Sequence, residues 1–287
     1  MKKKLVLMGL MSSAVLLAAC GGGDDGAVNT GSNASNSNGG GTSATMPPVV
    51  SPPSAQAACR PSGRFTYSGS ASQVAAYNGQ LAVVVVPSLP KAYQKNRNFT
   101  APNAPASSLV QQASGAFTTL ASSAAATDCL GLDHGAVTEI QSVGSDVAIG
   151  RWNQAMDTDG NTYNSEQGVH YAIGTPLPLS ATSGSLVCTQ LIADAVSTTN
   201  GTPGGTLGAS SATLDLGTRT LNNLSLSITV GSTPYTLTNA QTPLNGVSTT
   251  GQLSVQTVVV GHDAAQPLVA VGYSTSSNGG VVVLSCH

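Results

Sequence analysis

Four histidines (His134, His170, His262 and His287) and twelve acidic side chains are the groups in this sequence best suited to proton chemistry. Asp133-His134 and His262-Asp263 set an imidazole beside a carboxylate, and a fold that brought such groups together would supply the acid–base dyad of a hydrolase. Nothing in their spacing compels that. His170 alternates with Val169 and Tyr171 in a strand-like run and reads as a wall residue that packs or hydrogen-bonds in place; Trp152 and Tyr171 read as packing aromatics. Ser88-Leu89-Pro90-Lys91 has the S-x-x-K spacing that sets a lysine one helical turn from a nucleophilic serine, but Pro90 lies inside the turn that must be helical. No G-x-S-x-G, S-D-N or K-T-G accompanies it. Asp157-Thr158-Asp159-Gly160 with Glu166 falls on several ligand positions of a calcium loop, yet the first would be Ala155 and the flanks are strand-like. A polar hairpin loop is expected there instead. These patterns assign no catalytic residue, metal ligand or cofactor.

Cysteine chemistry is more informative. Lys2, Lys3 and Lys4 precede an apolar run from Leu5 to Leu17, which ends in Leu17-Ala18-Ala19-Cys20-Gly21. The run is shorter than the ~20 residues a spanning helix needs and fits the hydrophobic part of a secretory signal. A cysteine behind Leu-Ala-Ala resembles the lipobox of bacterial lipoproteins. That resemblance implies removal of residues 1–19, acylation of Cys20 and attachment to a membrane through the lipid. Gly21, where an aspartate would signal retention on the inner membrane, implies delivery to the outer membrane of a Gram-negative cell. Cys59, Cys129, Cys188 and Cys286 remain, an even number suited to two disulfides in an oxidising compartment; no pair has C-x-x-C spacing.

Charged residues make up 8% of the chain, far below the ~25% of ordinary globular domains. Loss of residues 1–19 would leave seven basic and twelve acidic side chains, a formal charge of −5. With no basic patch, nucleic acid is excluded as a partner. Gly, Ser, Thr and Val dominate, which favours short strands and tight turns.

Four segments follow. After the signal (1–19), residues 20–58 are Gly, Asn, Ser, Thr and Pro with few large apolar groups, a composition expected to form a lipidated, disordered tether reaching about 30–37 Å. In residues 59–133 two strands are expected, at Arg64–Ser68 and Leu81–Val86, with a turn at Asn78-Gly79. The near-helical spacing of Leu109, Val110, Ala113, Phe117, Leu120 and Ala124 predicts a helix over 107–127. Residues 134–287 read as a succession of short strands, with clean alternation in Leu224–Val230, and so as an antiparallel barrel. The fold class is thus mainly β: a C-terminal eight-stranded β-barrel after a smaller mixed strand/helix segment. Three disulfide pairings are possible; this division favours Cys59–Cys129 with Cys188–Cys286, each closing one segment.

Val147-Ala148-Ile149-Gly150-Arg151-Trp152, followed by Val169-His170-Tyr171-Ala172-Ile173-Gly174-Thr175-Pro176, resembles a G-R-W…H-Y-x-x-G-T-P pattern of the transferrin-binding-protein-B-like superfamily, whose domain is a lipocalin-like barrel. Leu207-Gly208, Ala212–Leu216 and Leu224–Val230 fit its middle strands. The resemblance covers about residues 135–287 and transfers no binding residue. The long spacer, the β-rich, weakly charged domain and the lack of a convergent catalytic set lead to the expectation of a non-enzymatic module for a protein or small-molecule ligand on an outer-membrane lipoprotein. The alternatives are a structural envelope protein, or a periplasmic hydrolase using His and Asp residues.

Overall fold

The computed structural model describes Cys59, residues 63–93 and residues 97–287. The expected signal peptide, Cys20 and the tether lie outside the described residues. Among those described, the strands form two sheets. The first contains β1 (Phe65–Gly69), β2 (Gln80–Ser88), β3 (Phe99–Pro105), β4 (Val110–Gln111), β5 (Phe117–Ala121), β6 (Cys129–Val143), β7 (Val147–Asp157), β8 (Thr162–Tyr163) and β9 (Gly168–Gly174). Its order is β3-β2-β9-β7-β6-β5-β4, with β8 on β7 and β1 parallel to β6. The second contains β10 (Ser185–Ala193), β11 (Ser197–Thr198), β12 (Gly205–Asp215), β13 (Thr220–Val230), β14 (Thr233–Pro243), β15 (Val247–Thr250), β16 (Leu253–Val260), β17 (Leu268–Ser274) and β18 (Asn278–Cys286).

The second sheet runs β14-β13-β12-β10-β18-β17-β16-β15, with β11 on β18. Its two end strands are consecutive in the chain, and Asn239 of β14 donates through Nδ2 to Ser248 Oγ (3.3 Å) and Thr250 Oγ1 (3.2 Å) beside β15. The eight strands therefore curl into a ring whose last gap is spanned by side chains, which shields both sheet edges. Leu224, Leu226 and Ile228 of β13 point inward and Ser227 outward, the alternation a one-sided wall requires.

Strands at the contact between the sheets obey a different rule. Val83-Val84-Val85-Val86 and Val281-Val282-Val283-Leu284 do not alternate because both faces are buried. Val83 and Val85 enter the core of the first sheet with Trp152 and Tyr171. Ala82, Val84 and Val86 meet Val258, Val260, Ala270, Val281 and Val283 between the sheets. Val282 and Leu284 fill the second barrel. Packing is tight at Gly272, where a Cβ would lie 2.5 Å from methyls of both Val84 and Val86.

The structure departs from the expected organisation in two places. No helix forms over 107–127; a 3-10 turn (Ala106–Ser108), β4, β5 and a second 3-10 turn (Ala126–Asp128) occupy that stretch. Gly115 has φ +86°, inside a tight turn in which the Gln112 N–H donates to the Ala116 carbonyl, so the helical spacing is interrupted at its centre. Phe117-Thr118-Thr119 then takes the extended form that β-branched and aromatic residues favour, and all of β5 is buried. The described part of the N-terminal segment is accordingly strands with two 3-10 turns, and the expected α-helix does not form. The expected boundary at 133/134 lies inside β6, whose long ladder with β7 holds residues 129–174 in the first sheet. The change of sheet falls between β9 and β10, so the eight-stranded ring is built from residues 185–287, and the G-R-W…H-Y residues lie on β7 and β9 of the other sheet.

Disulfides join Cys59 to Cys129 and Cys188 to Cys286, the latter pair directly opposite in the β10–β18 ladder.

Candidate ligand site at the barrel mouth

The interior of the ring is filled along most of its length by Leu214, Leu221, Leu224, Leu226, Ile228, Val255, Tyr273 and their neighbours. At one end the filling stops. Four connections gather there: the loop from β11 to β12 and the turns β13–β14, β15–β16 and β17–β18. They surround a cavity of about 690 Å³, within the ~300–1,000 Å³ of small-molecule sites. Its wall carries Thr198, Asn200, Thr202, Thr233, Thr236, Thr238, Thr250, Gln252, Thr275, Ser276, Ser277 and Asn278, with Val230, Leu237 and Leu253 as its aliphatic groups and Tyr235 as its one aromatic group.

Local sequence explains the lining. Gly231 (φ +61°) and Gly251 (φ +60°) take the left-handed conformation in their turns, and the flanking Thr, Ser and Asn residues suit turn positions. Tyr235 sits on the inward-facing set of β14 with Leu237 and Asn239. Asn278 Nδ2 donates to the Tyr235 hydroxyl (2.6 Å). Burial pushes the Tyr235 pKa above that of an ordinary phenol, against the smaller effect of the Asn278 bond, so the hydroxyl stays protonated and can donate.

The mouth is braced from both sides. Thr199 N–H donates to the Ser277 carbonyl (2.9 Å), Thr199 Oγ1 to the Ser276 carbonyl (3.1 Å) and Ser276 Oγ to Gln252 Oε1 (2.7 Å). From the first sheet, Glu166 Oε2 accepts from Gly204 N–H (2.8 Å), the Glu166 carbonyl accepts from Thr198 N–H (2.9 Å), and Gln167 Nε2 donates to the Thr199 carbonyl (3.0 Å). The connection that leads into the loop is anchored by charge. Glu139 Oε2 accepts from Ala195 N–H (2.6 Å), while Glu139 Oε1 takes Arg151 Nη2 (2.7 Å) and Nε (3.1 Å). Arg151 Nη1 reaches Ser197 Oγ (2.8 Å).

Beneath this brace His170 Nδ1 pairs with Asp194 Oδ2, both side chains fully buried. Asp194 Oδ1 accepts from Val281 N–H (2.8 Å). Burial raises the Asp194 pKa, opposed by the adjacent His170. Ser88 lies nearby: it pairs with Gly168 across the β2–β9 ladder, two residues along from the Val86–His170 pair. Ser88 Oγ and His170 Nε2 are nonetheless both buried without a hydrogen-bond partner among the described residues, so the Ser–His bond that would activate the serine is not made. Ser88 ends a strand, which leaves no helical turn to bring Lys91 to it.

The other sequence candidates serve local structure. His134 Nδ1 bonds Asp133 Oδ2 (2.9 Å) on one end of β6. His262 bonds Asp146 (2.8 Å) at its other end, so the two His/Asp groups do not converge; that bond, then the Asp146 charge, raises the His262 pKa. Asp157 caps its own hairpin by accepting from Asp159 and Asn161 N–H (3.0 Å each), and Arg97 grips Asp159 with Nε (2.6 Å) and Nη2 (2.8 Å). With Glu166 at the mouth loop, the calcium-like carboxylates are committed to three different tasks. No cluster of three or more metal-ligating side chains occurs among the described residues. Trp152 and Tyr171 pack in the first sheet, where Trp152 Nε1 donates to the Phe117 carbonyl (2.7 Å) and Phe117 N–H to the Tyr171 hydroxyl (3.1 Å).

No family model and no curated protein matches the chain. Among solved structures, a double mutant of the vaccine antigen transferrin binding protein B from Haemophilus parasuis Hp5 is similar, with a TM-score of 0.33 and 10% identity over 72% of this chain and 44% of that one. The chain thus spans less than half the length of that protein. The likeness assigns no residue of the mouth.

Proposed function

We propose that this chain is a non-enzymatic binding module held at the outer membrane by a lipid on Cys20, with residues 20–58 as its tether and the mouth of the second barrel as its ligand site. One observation carries the reading: a filled barrel opens at one braced end into a cavity whose wall, among the described residues, holds no carboxylate, imidazole, amine or guanidinium. Such a wall can hydrogen-bond and pack, but it has no group able to exchange a proton near neutral pH. The His170–Asp194 pair that a hydrolase would use is sealed from solvent, and its would-be serine is disengaged.

Two measurements test this. Cells grown with labelled palmitate should label the wild-type chain in the outer-membrane fraction and leave Cys20→Ser unlabelled; an unlabelled wild type would contradict the anchor. Native mass spectrometry of the intact protein against envelope small-molecule pools should show a saturable adduct. That adduct should be lost in Ser277→Trp, which fills the mouth from an exposed position. An adduct indifferent to that substitution would place binding elsewhere.

A further inference from the structure

Resting on that reading of the mouth, we infer that its ligand is a neutral, hydroxyl-rich saccharide. Of the sixteen residues around the cavity, nine are Thr or Ser, three carry amides, three are aliphatic and one is tyrosine; Thr236 and Thr238 alternate with the inward Tyr235 and Leu237 on β14, which leaves seven hydroxyl residues besides them. Each Thr or Ser hydroxyl donates and accepts and rotates to suit its partner, which matches a ligand whose own groups are hydroxyls. An ionised ligand would give up water without meeting a countercharge. Lys91 lines an adjoining cavity that shares Gln252, Thr275 and Ser276 with this one, but it is not part of the mouth's own wall.

The shape excludes two other ligand classes. An acyl chain needs a deep apolar channel, and below Leu237 and Leu253 the ring is closed by Leu226, Ile228 and Tyr273. A peptide added as a strand needs an open sheet edge, and the ends of this ladder, β14 and β15, face each other across a gap that Asn239 bridges to Ser248 and Thr250.

Tyr235 supplies the aromatic surface on which the C–H face of a sugar ring can pack, and the Asn278 bond to its hydroxyl fixes its orientation. The Asn200 and Gln252 amide nitrogens and the Asn278 amide oxygen have no internal partner among the described residues, so they are available to ring hydroxyls. The bonds that tie Thr199 to Ser276 and Ser277 hold these groups in place before binding, which lowers the entropy lost on association.

The test is calorimetric titration of the intact chain in detergent with cellotetraose, maltotetraose and chitotetraose, with oligogalacturonate and a short-chain fatty acid as charged and apolar probes. At least one neutral tetrasaccharide should bind saturably, about tenfold more weakly to Tyr235→Ala and without detectable binding to Ser277→Trp. Tyr235→Phe, which keeps the ring, should retain most of the affinity. Binding of only the acidic or the acyl probe, abolished by Ser277→Trp, would overturn the saccharide inference and leave the mouth as the site. Saccharide binding that Ser277→Trp does not touch would overturn the inference by placing the ligand elsewhere. Absence of Ser277→Trp-sensitive binding by every probe would overturn both.

Discussion

Replacing Asp194 with alanine should cost the fold several kcal/mol, whereas asparagine at the same position should cost far less. The carboxylate holds two groups with no other recourse. Val281 N–H lies in β18, which is buried on both faces, and donates to Asp194 Oδ1; His170 is fully buried and its Nε2 already has no partner among the described residues. Each buried polar group deprived of its partner costs about 1–3 kcal/mol, so alanine should lose roughly 2–6 kcal/mol, overlapping the ~3–5 kcal/mol typical of a broken buried pair. That is a large fraction of the ~5–15 kcal/mol by which domains are stable. Asparagine keeps an acceptor for Val281 and a partner for His170, and should lose within about 2 kcal/mol. The sign with pH is fixed by the direction of the Asp194 shift. Burial raises its pKa above 3.8, so the folded chain holds a proton there that the unfolded chain has released. Its contribution to stability therefore falls as pH rises from about 3.8 through the raised value, and is flat above it. Asp194→Asn removes that slope. Urea midpoints of the three proteins, measured from pH 4 upward, give both quantities. An alanine variant within about 1 kcal/mol of wild type, or an unchanged slope in asparagine, would refute the reasoning.

Three further outcomes are expected. Replacing Cys188 and Cys286 together by alanine opens a cross-link spanning 98 residues and should cost about 2–5 kcal/mol, read as a lower urea midpoint that reducing agent reproduces in the wild type. The His262–Asp146 pair stabilises below the usual imidazole pKa of 6.5, and that contribution is lost as pH rises through the raised value; in Asp146→Asn the NMR titration of His262 should move down towards 6.5. Glu166→Ala frees Gly204 N–H at the foot of the mouth loop, so amide exchange over 199–204 should speed while that in β16–β18 does not.

Strands were legible in the sequence where burial is cleanly one-sided or where a run of β-branched residues is buried on both faces. Leu224–Val230 alternates because one face meets Leu214 and Leu253 and the other meets solvent, and the valine runs of β2 and β18 are continuous because each contributes to two cores. Asn78-Gly79 marked a true turn, with φ of +51° and +73°, yet β1 pairs with β6 rather than with β2; a turn signal carries no information about which strands meet. The spacing from Leu109 to Ala124 imitated a helix because β5 is buried on both faces and one glycine turn separates it from β4. Asp194 could not be matched to His170 from sequence, since the partners sit in different sheets and meet only through packing. Nor did the mouth stand out: its Thr, Ser and Asn residues have the composition of any set of turns. It becomes a site only because four connections end at one rim. The C-terminal barrel was expected to begin at residue 134, because nothing in the sequence marks a change of sheet inside an unbroken series of strands.

Deuterium exchange of the intact protein, with and without its tightest-binding small molecule, tests most directly whether the mouth is where ligand is held. Protection should concentrate in residues 198–204, 230–238, 250–253 and 274–278. Protection confined to the first sheet, or to the outer wall of β10 where Val187 and Leu191 are exposed, would contradict the assignment.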